Sequence, residues 1–288
     1  MKYFFTACLL GVSLVAFSQD ELLQELQGSV TKTNDPVIGT FSGTRIVNGH
    51  SVETRSKNVL EFIITHRFGT INSGAYEAFG LDNSVVRIGF EYGITDRLMV
   101  GIGRTSSDKT FDYFGKDRAL RQSDIMPLSV TVFGSAAYLG LKNEALNELS
   151  TTDKMAYATQ LVIARKLSSR VSLQVSPSYL YRTTVDQDIA VNNLISLGMG
   201  GRFKLTKSMA LVLEYYLRLN EKSESPYNDA LGMSLEFETG GHVFQLVFTN
   251  SQGMVERQFM AETSGDFFDG DIHFGFNITR AFPFGRKK

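Results

Sequence analysis

The sequence predicts an all-β protein, an antiparallel transmembrane β-barrel of about twelve strands with a short periplasmic segment ahead of it. Three observations predict it. From Asn58 onward, segments of about 9 to 13 residues alternate between apolar side chains and small or charged ones, as in strands with two unlike faces. The breaks between them alternate between tight turns and long polar stretches, the loop asymmetry of outer-membrane barrels. Gly 26 against Pro 5, with Phe 22 and Tyr 11, is a strand-rich rather than a helix-bundle composition.

The first element, residues 1–18, reads MKYFFTACLLGVSLVAFS. Lys2 precedes an apolar run from Tyr3 to Phe17, and small Ala16 and Ser18 mark an exit, so a secretory signal peptide is expected, with export across the inner membrane. Cys8 lies inside the run rather than after it, which argues against a lipoprotein. It is also the single cysteine, so the exported chain is expected to have no disulfide and no thiolate metal site. Residues 19–57 differ from the strand-like remainder of the chain. A short helix candidate, DELLQELQ, leads into a stretch rich in turn formers and without periodicity, expected to be a periplasmic N-terminal segment.

Residues 58–282 are the expected barrel. In SVVRIGFEYGI (84–94), Val86, Ile88, Phe90 and Tyr92 share one face and Arg87, Gly89, Glu91 and Gly93 the other. MALVLEYYLRL (209–219), ALGMSLEFET (230–239) and DIHFGFNIT (271–279) divide in the same way. A soluble sandwich also alternates, but glycines interspersed with isolated charges suit a crowded lumen better than a solvated face. Tight turns are expected at Thr95 to Arg97, Leu167 to Arg170, Leu205 to Ser208 and Thr239 to Gly241, and long connections at 69–83, 139–153, 183–192, 220–228 and 251–270. All the tight turns fall on one side only if TFDYFGKDRALRQ (110–122) supplies one more strand between turns at 106–109 and 123–126. That brings the count to twelve, with both termini on the periplasmic side.

The stretches TRIVNGHSVE (44–53), LEFIITHRFG (60–69), FGLDNSVVRIGFEYGITDRLMVGIGR (79–104) and KTFDYFGKDRALRQ (109–122) resemble the uncharacterised outer-membrane β-barrel family catalogued as domain of unknown function 5777. The likeness is specific over about residues 40 to 140. It implies a barrel in the outer membrane of a Gram-negative cell, and no reaction, ligand or catalytic residue. The chain departs from a typical barrel in two ways. With Trp 0, an interfacial girdle must come from Phe and Tyr, including Tyr179, Tyr181, Tyr215 and Tyr216. A tail, 283–288, follows Phe282, where many barrels end on the aromatic residue that the barrel-assembly machinery reads.

Lys+Arg 29 nearly balances Asp+Glu 30, which argues against a nucleic-acid partner. His50, His66, His242 and His273 share no ligand spacing, and no GxSxG is present, so neither a metal, a cofactor nor a hydrolase is expected. What concentrates is charge on the inner face: Glu61 and Arg67, Arg87 and Glu91, Arg202 and Lys204, Glu214 and Arg218, Glu236 and Glu238. A charge facing lipid near the midplane costs about 2–4 kcal/mol, so the lumen is their place. Two readings lead, with a membrane-embedded barrel hydrolase as the least favoured third. The ladder is either a constriction in a narrow channel or small-ligand transporter passing a small solute, or a neutralising network in a closed structural barrel whose outer loops bind partners. Arg87 and Glu91, about 13 Å apart along one strand, are expected to find partners in Glu61 and Arg67 on the preceding strand.

Overall fold

The computed structural model describes residues 34–142 and 148–284; the expected signal peptide, the DELLQELQ helix candidate and the end of the tail lie outside these residues. Twelve strands close into one antiparallel barrel: β1 (Val59–Thr70), β2 (Ser84–Gly93), β3 (Leu98–Thr105), β4 (Phe111–Leu120), β5 (Ser129–Tyr138), β6 (Met155–Lys166), β7 (Val171–Arg182), β8 (Asn193–Lys204), β9 (Met209–Arg218), β10 (Ala230–Thr239), β11 (His242–Thr249) and β12 (His273–Pro283). Each pairs with its sequence neighbours, and β12 closes on β1 from Val59 opposite Pro283 to Arg67 opposite Gly275. Strands of 8 to 12 residues suit a tilted crossing of the hydrocarbon layer, which takes about 9–11. The extra strand demanded by parity is β4, set between the turn at Ser107–Lys109 and the Arg121 to Leu128 connection.

The strand faces follow the alternation. On β2, Arg87, Gly89, Glu91 and Gly93 are buried inside, whereas Ile88 and Phe90 are exposed on the outer wall. On β9, Ala210, Val212, Glu214, Tyr216 and Arg218 all point inward. Tyr216 corrects one expectation: it is 2% exposed, so it belongs to the interior and not to an aromatic girdle, while Tyr179 and Tyr181 do face outward.

The sequence reading sets residues 19–57 apart from the barrel as a periplasmic segment. The described part of it instead runs into the lumen. Phe41, Ile46, Val47 and Val52 are buried there against Met99, Phe114, Phe133, Val162, Val212 and Val247 of the wall. The physical reason is volume. Wall side chains alone fill a barrel of about eight strands, and a wider one needs more. A short helix, α1 (Glu256–Ala261) in the β11–β12 connection, fills the other half, with Phe259 and Met260 packed on Ala137, Ala156, Ala158 and Ala230. Those alanines leave the room that the helix occupies. The hairpin thus occupies the half nearer the short turns, and α1 the half nearer the long loops.

Candidate functional site in the barrel lumen

The segment inside the barrel is a hairpin. Ile46 donates its amide to Gly49 O at 2.8 Å and Ser51 to Thr44 O at 2.9 Å, around a bridge between Arg45 and His50. The tip then presents three successive backbone amides to one carboxylate. Glu214 of β9 accepts from Val47 at 3.1 Å, Asn48 at 2.9 Å and Gly49 at 3.0 Å, an anion held by a concave run of N–H groups. Only glycine fits at position 49, where a Cβ would lie 2.0 Å from Tyr216 Oη.

Side chains from many strands hold the rest. Lys116 of β4, fully buried, donates to the carbonyls of Thr44, Ser51 and Glu53 at 3.1, 2.9 and 2.7 Å. Arg67 of β1 donates to Asn48 Oδ1 at 2.9 Å. Gln174 of β7 both accepts from the Val52 amide and donates to His50 O. Gln245 of β11 donates to Ile46 O at 2.7 Å, and Asn277 of β12 to Val47 O at 2.9 Å. The Ser42 hydroxyl lies 2.6 Å from Glu236 Oε1 and 2.7 Å from Glu238 Oε1 and shares its one proton between them, and both carboxylates pair with Arg202. These wall contacts run from side chain to segment. They satisfy the hairpin's backbone groups, which burial would otherwise leave costly.

The ten inner charges expected from sequence therefore have distinct places. Glu61, Arg67, Glu91, Glu214, Glu236 and Glu238 all contact the hairpin or the irregular stretch that leads from it to β1. Arg218 sits at the long-loop end and holds the connection after β9 through Asp229 and Tyr227 O. Lys204 is half-buried at the end of β8 and enters none of the ion pairs among the described residues. The expected pairing of Arg87 and Glu91 with Glu61 and Arg67 does not form. Across β1 and β2, Glu61 is opposite Glu91 and Thr65 opposite Arg87. Arg87 reaches over β3 to Asp112 of β4, at 2.9 Å from Nε. Gly103 makes this possible, since a Cβ there would strike the Arg87 guanidinium at 2.3 Å. The two glutamates take their cations from the N-terminal segment: Arg55 pairs with Glu61, and Arg45 lies 3.6 Å from Glu91.

Sequence reasoning missed Lys116, Asp112, Arg45, Arg55 and His50. The signal for the first two was the alternation Asp112, Phe114, Lys116, Arg118 in one strand. For the hairpin it was Asn48-Gly49, a hairpin-turn dipeptide flanked by Ile46, Val47 and Val52. His50 is wholly buried between the rings of Phe114 and Phe133, with Nε2 3.5 Å from Glu256 Oε1 of α1. Burial, then the positive charges of Arg45, Lys116 and Arg87, hold its imidazole well below the usual range. Burial pushes the Glu256 carboxyl up.

Two cavities flank the filled middle. One of about 660 Å³ opens among the long loops over α1, and one of about 440 Å³ lies at the short-turn end beside Arg55, Glu61 and Glu238.

A family model described as membrane bound beta barrel domain (DUF5777) matches residues 41–282, a span that begins inside the hairpin segment and ends on β12. Among solved structures, the KdgM porin is similar at 9% identity, over 77% of this chain and 99% of that chain, with a TM-score of 0.50. The outer membrane protein Omp33 of Acinetobacter baumannii is similar at 10% identity, over 78% of this chain and 98% of that chain, with a TM-score of 0.43. At 9% identity the likeness to the KdgM porin is one of fold. No curated protein matches the chain.

Proposed function

The chain belongs to the DUF5777 family of membrane-bound β-barrel domains, and from that premise we propose that it is an outer-membrane channel for small solutes kept shut by its own N-terminal hairpin. The supporting observation is the division of the lumen: a cavity at each end, and between them a separate segment held by side-chain contacts rather than by strand pairing to the wall. A barrel of twelve strands lies between the filled eight-stranded size and the open 16 to 18 of porins, and here the closure is delegated to a removable element. The inner charges serve as its latch while it is seated, and as the lining of the path once it leaves.

A second reading is a permanently closed barrel that binds partners through its loops. Tyr76, Phe79 and Leu81 in the β1–β2 connection and Phe268 before β12 favour it, being large, apolar and exposed. A cysteine pair separates the two. A Cβ at Gly232 would lie 3.4 Å from Val47 Cβ, close to the roughly 3.5–4.5 Å of a disulfide. With Val47→Cys and Gly232→Cys oxidised, a planar bilayer should be silent, and reduction should restore openings. Silence of the reduced chain, of the unsubstituted chain and of a folded Glu214→Leu variant would end the channel reading in favour of the closed barrel.

A further inference from the structure

We propose that the 660 Å³ cavity at the long-loop end binds a neutral polyhydroxylated solute, in chemical class a short oligosaccharide; its purpose as a solute entrance rests on the channel reading. The volume lies within the roughly 300–1,000 Å³ of small-molecule sites. Its floor is α1, through Arg257 and Gln258, and its walls include Asp108 after β3, Tyr227 after β9 and Asp271 before β12.

The wall brings together donors and acceptors in the manner that vicinal hydroxyls require, since each hydroxyl both gives and takes a hydrogen bond. Gln258 is 4% exposed, and its Oε1 accepts the Met254 amide at 3.4 Å while its Nε2 has no protein partner. Arg257 gives Nη2 to Glu262 at 2.9 Å and leaves Nη1 without one. Buried donors without acceptors are rare in folded proteins, and these two are closed off from solvent on side chains that line the cavity, so a small turn of either side chain carries an unsatisfied N–H to the cavity surface. Asp108 supplies an acceptor, and Asp271, whose two oxygens already accept from Asn72 Nδ2 at 2.7 Å and the Asp266 amide at 3.1 Å, has only its remaining lone pairs to add. Asp108 is held at φ 49°, a left-handed conformation uncommon outside glycine, in the turn that brings it to the cavity wall.

Charge narrows the class. Glu262 is shared by Arg257 at 2.9 Å and Arg182 at 3.2 Å, whereas Asp108 and Asp271 enter no ion pair among the described residues; three carboxylates against two guanidiniums leave the wall net negative, which disfavours an anion. A metal ion is not what the wall is built for, because among the described residues no three His, Cys, Asp or Glu side chains gather as ligands. A neutral solute rich in hydroxyls, with Tyr227 contributing an aromatic ring, meets all of these constraints. Its place also matters to the hairpin: Arg257 and Gln258 directly follow Glu256, the α1 residue that faces His50.

The test uses the full chain folded in detergent micelles, with calorimetry and saturation-transfer NMR against maltotriose, cellotriose and N-acetylated chitotriose, and trigalacturonate as the anionic probe. At least one neutral trisaccharide should bind and trigalacturonate should not. Asp108→Gly, which suits the left-handed turn, and Gln258→Leu should each weaken binding by about tenfold, as loss of a directed hydrogen bond does. Asp153→Asn in another outer loop should not. Heat-modifiable migration shows that each variant is folded. Binding by none of the neutral sugars, preference for trigalacturonate, or indifference to both substitutions would overturn the proposal. Because binding is read without conductance, a sugar-binding barrel that stays silent in a bilayer fails only the channel reading, and a conducting barrel that binds no sugar fails only this one.

Discussion

Glu61 of β1 and Glu91 of β2 stand directly opposite each other in the barrel wall, and each takes its cation from the N-terminal segment, Arg55 for Glu61 and Arg45 for Glu91. Like charges opposed across a strand pair are unfavourable, so the wall is electrostatically incomplete until the segment is seated. Arg45→Ala should take from Glu91, which is 1% exposed, its ion-pair partner at 3.6 Å while Arg87 and Lys116 stay within electrostatic reach, and weaken seating by about 1–3 kcal/mol. Adding Glu91→Gln should recover most of the loss. The readout is the rate at which a cysteine at Val52 reacts with a water-soluble maleimide. An Arg45→Ala chain that labels no faster than its parent would show that the pairing does not hold the segment.

The tip supplies a steric counterpart. Gly49→Ala places a methyl 2.0 Å from Tyr216 Oη, inside a packed interior where neither the hairpin nor β9 has room to move. Accelerated labelling at Val52→Cys is expected, with little change in thermal unfolding of the strands. Tyr216→Ala in the same chain should restore slow labelling by opening the space. No recovery in the double variant would mean that the hairpin tip is not seated against β9.

How much of this was legible depends on the range of the interactions. Alternation is local, so Arg87 and Glu91 could be placed inside, and Ile88 and Phe90 outside, from five consecutive residues. Turn and loop lengths then supplied the count and β4 by parity. The hairpin was not legible because its polar groups are satisfied far along the chain: Asn48 meets Glu214, 166 residues away. Nor was the partner of Arg87, since strand register and the gap at Gly103 decide that it reaches Asp112 and not β1. Tyr216 was misplaced for a related reason. Its inward parity was readable, but nothing local announced the hairpin and α1 that cover it.

The outer and inner faces of β9 differ in what they tolerate. Leu213 faces outward and Val212 is 1% exposed against the hairpin. Leu213→Arg puts a charge into hydrocarbon at about 2–4 kcal/mol, and should reduce the heat-modifiable fraction in the outer membrane. Val212→Thr adds a buried hydroxyl, at about 1–3 kcal/mol, and should leave insertion intact while loosening the hairpin. Equal insertion of both variants would show that the face assignment is wrong.

Acid should loosen the hairpin through His50. Seated, its imidazole lies under Phe114 and Phe133 with Arg45, Arg87 and Lys116 nearby and Glu256 Oε1 at 3.5 Å, and burial followed by those cations keeps it well below its ordinary value of 6.5. Unseated and hydrated, it returns to about 6.5. The unseated state therefore binds the extra proton. Its linkage makes seating strongest above about pH 6.5 and weaker as pH falls toward the lowered value, by at most about 1.4 kcal/mol per pH unit. Glu256 works the other way. Burial raises its carboxyl above 4.5, so the seated state takes up that proton more readily and gains as pH falls. The two contributions separate in a Glu256→Gln background, where the labelling rate at Val52→Cys should rise between pH 7.5 and 5.5 once corrected for the reagent's own pH dependence. Adding His50→Phe should flatten that profile, because a ring of similar size fills the site and cannot take a proton. A flat profile with His50 present would remove the imidazole from the account of closure.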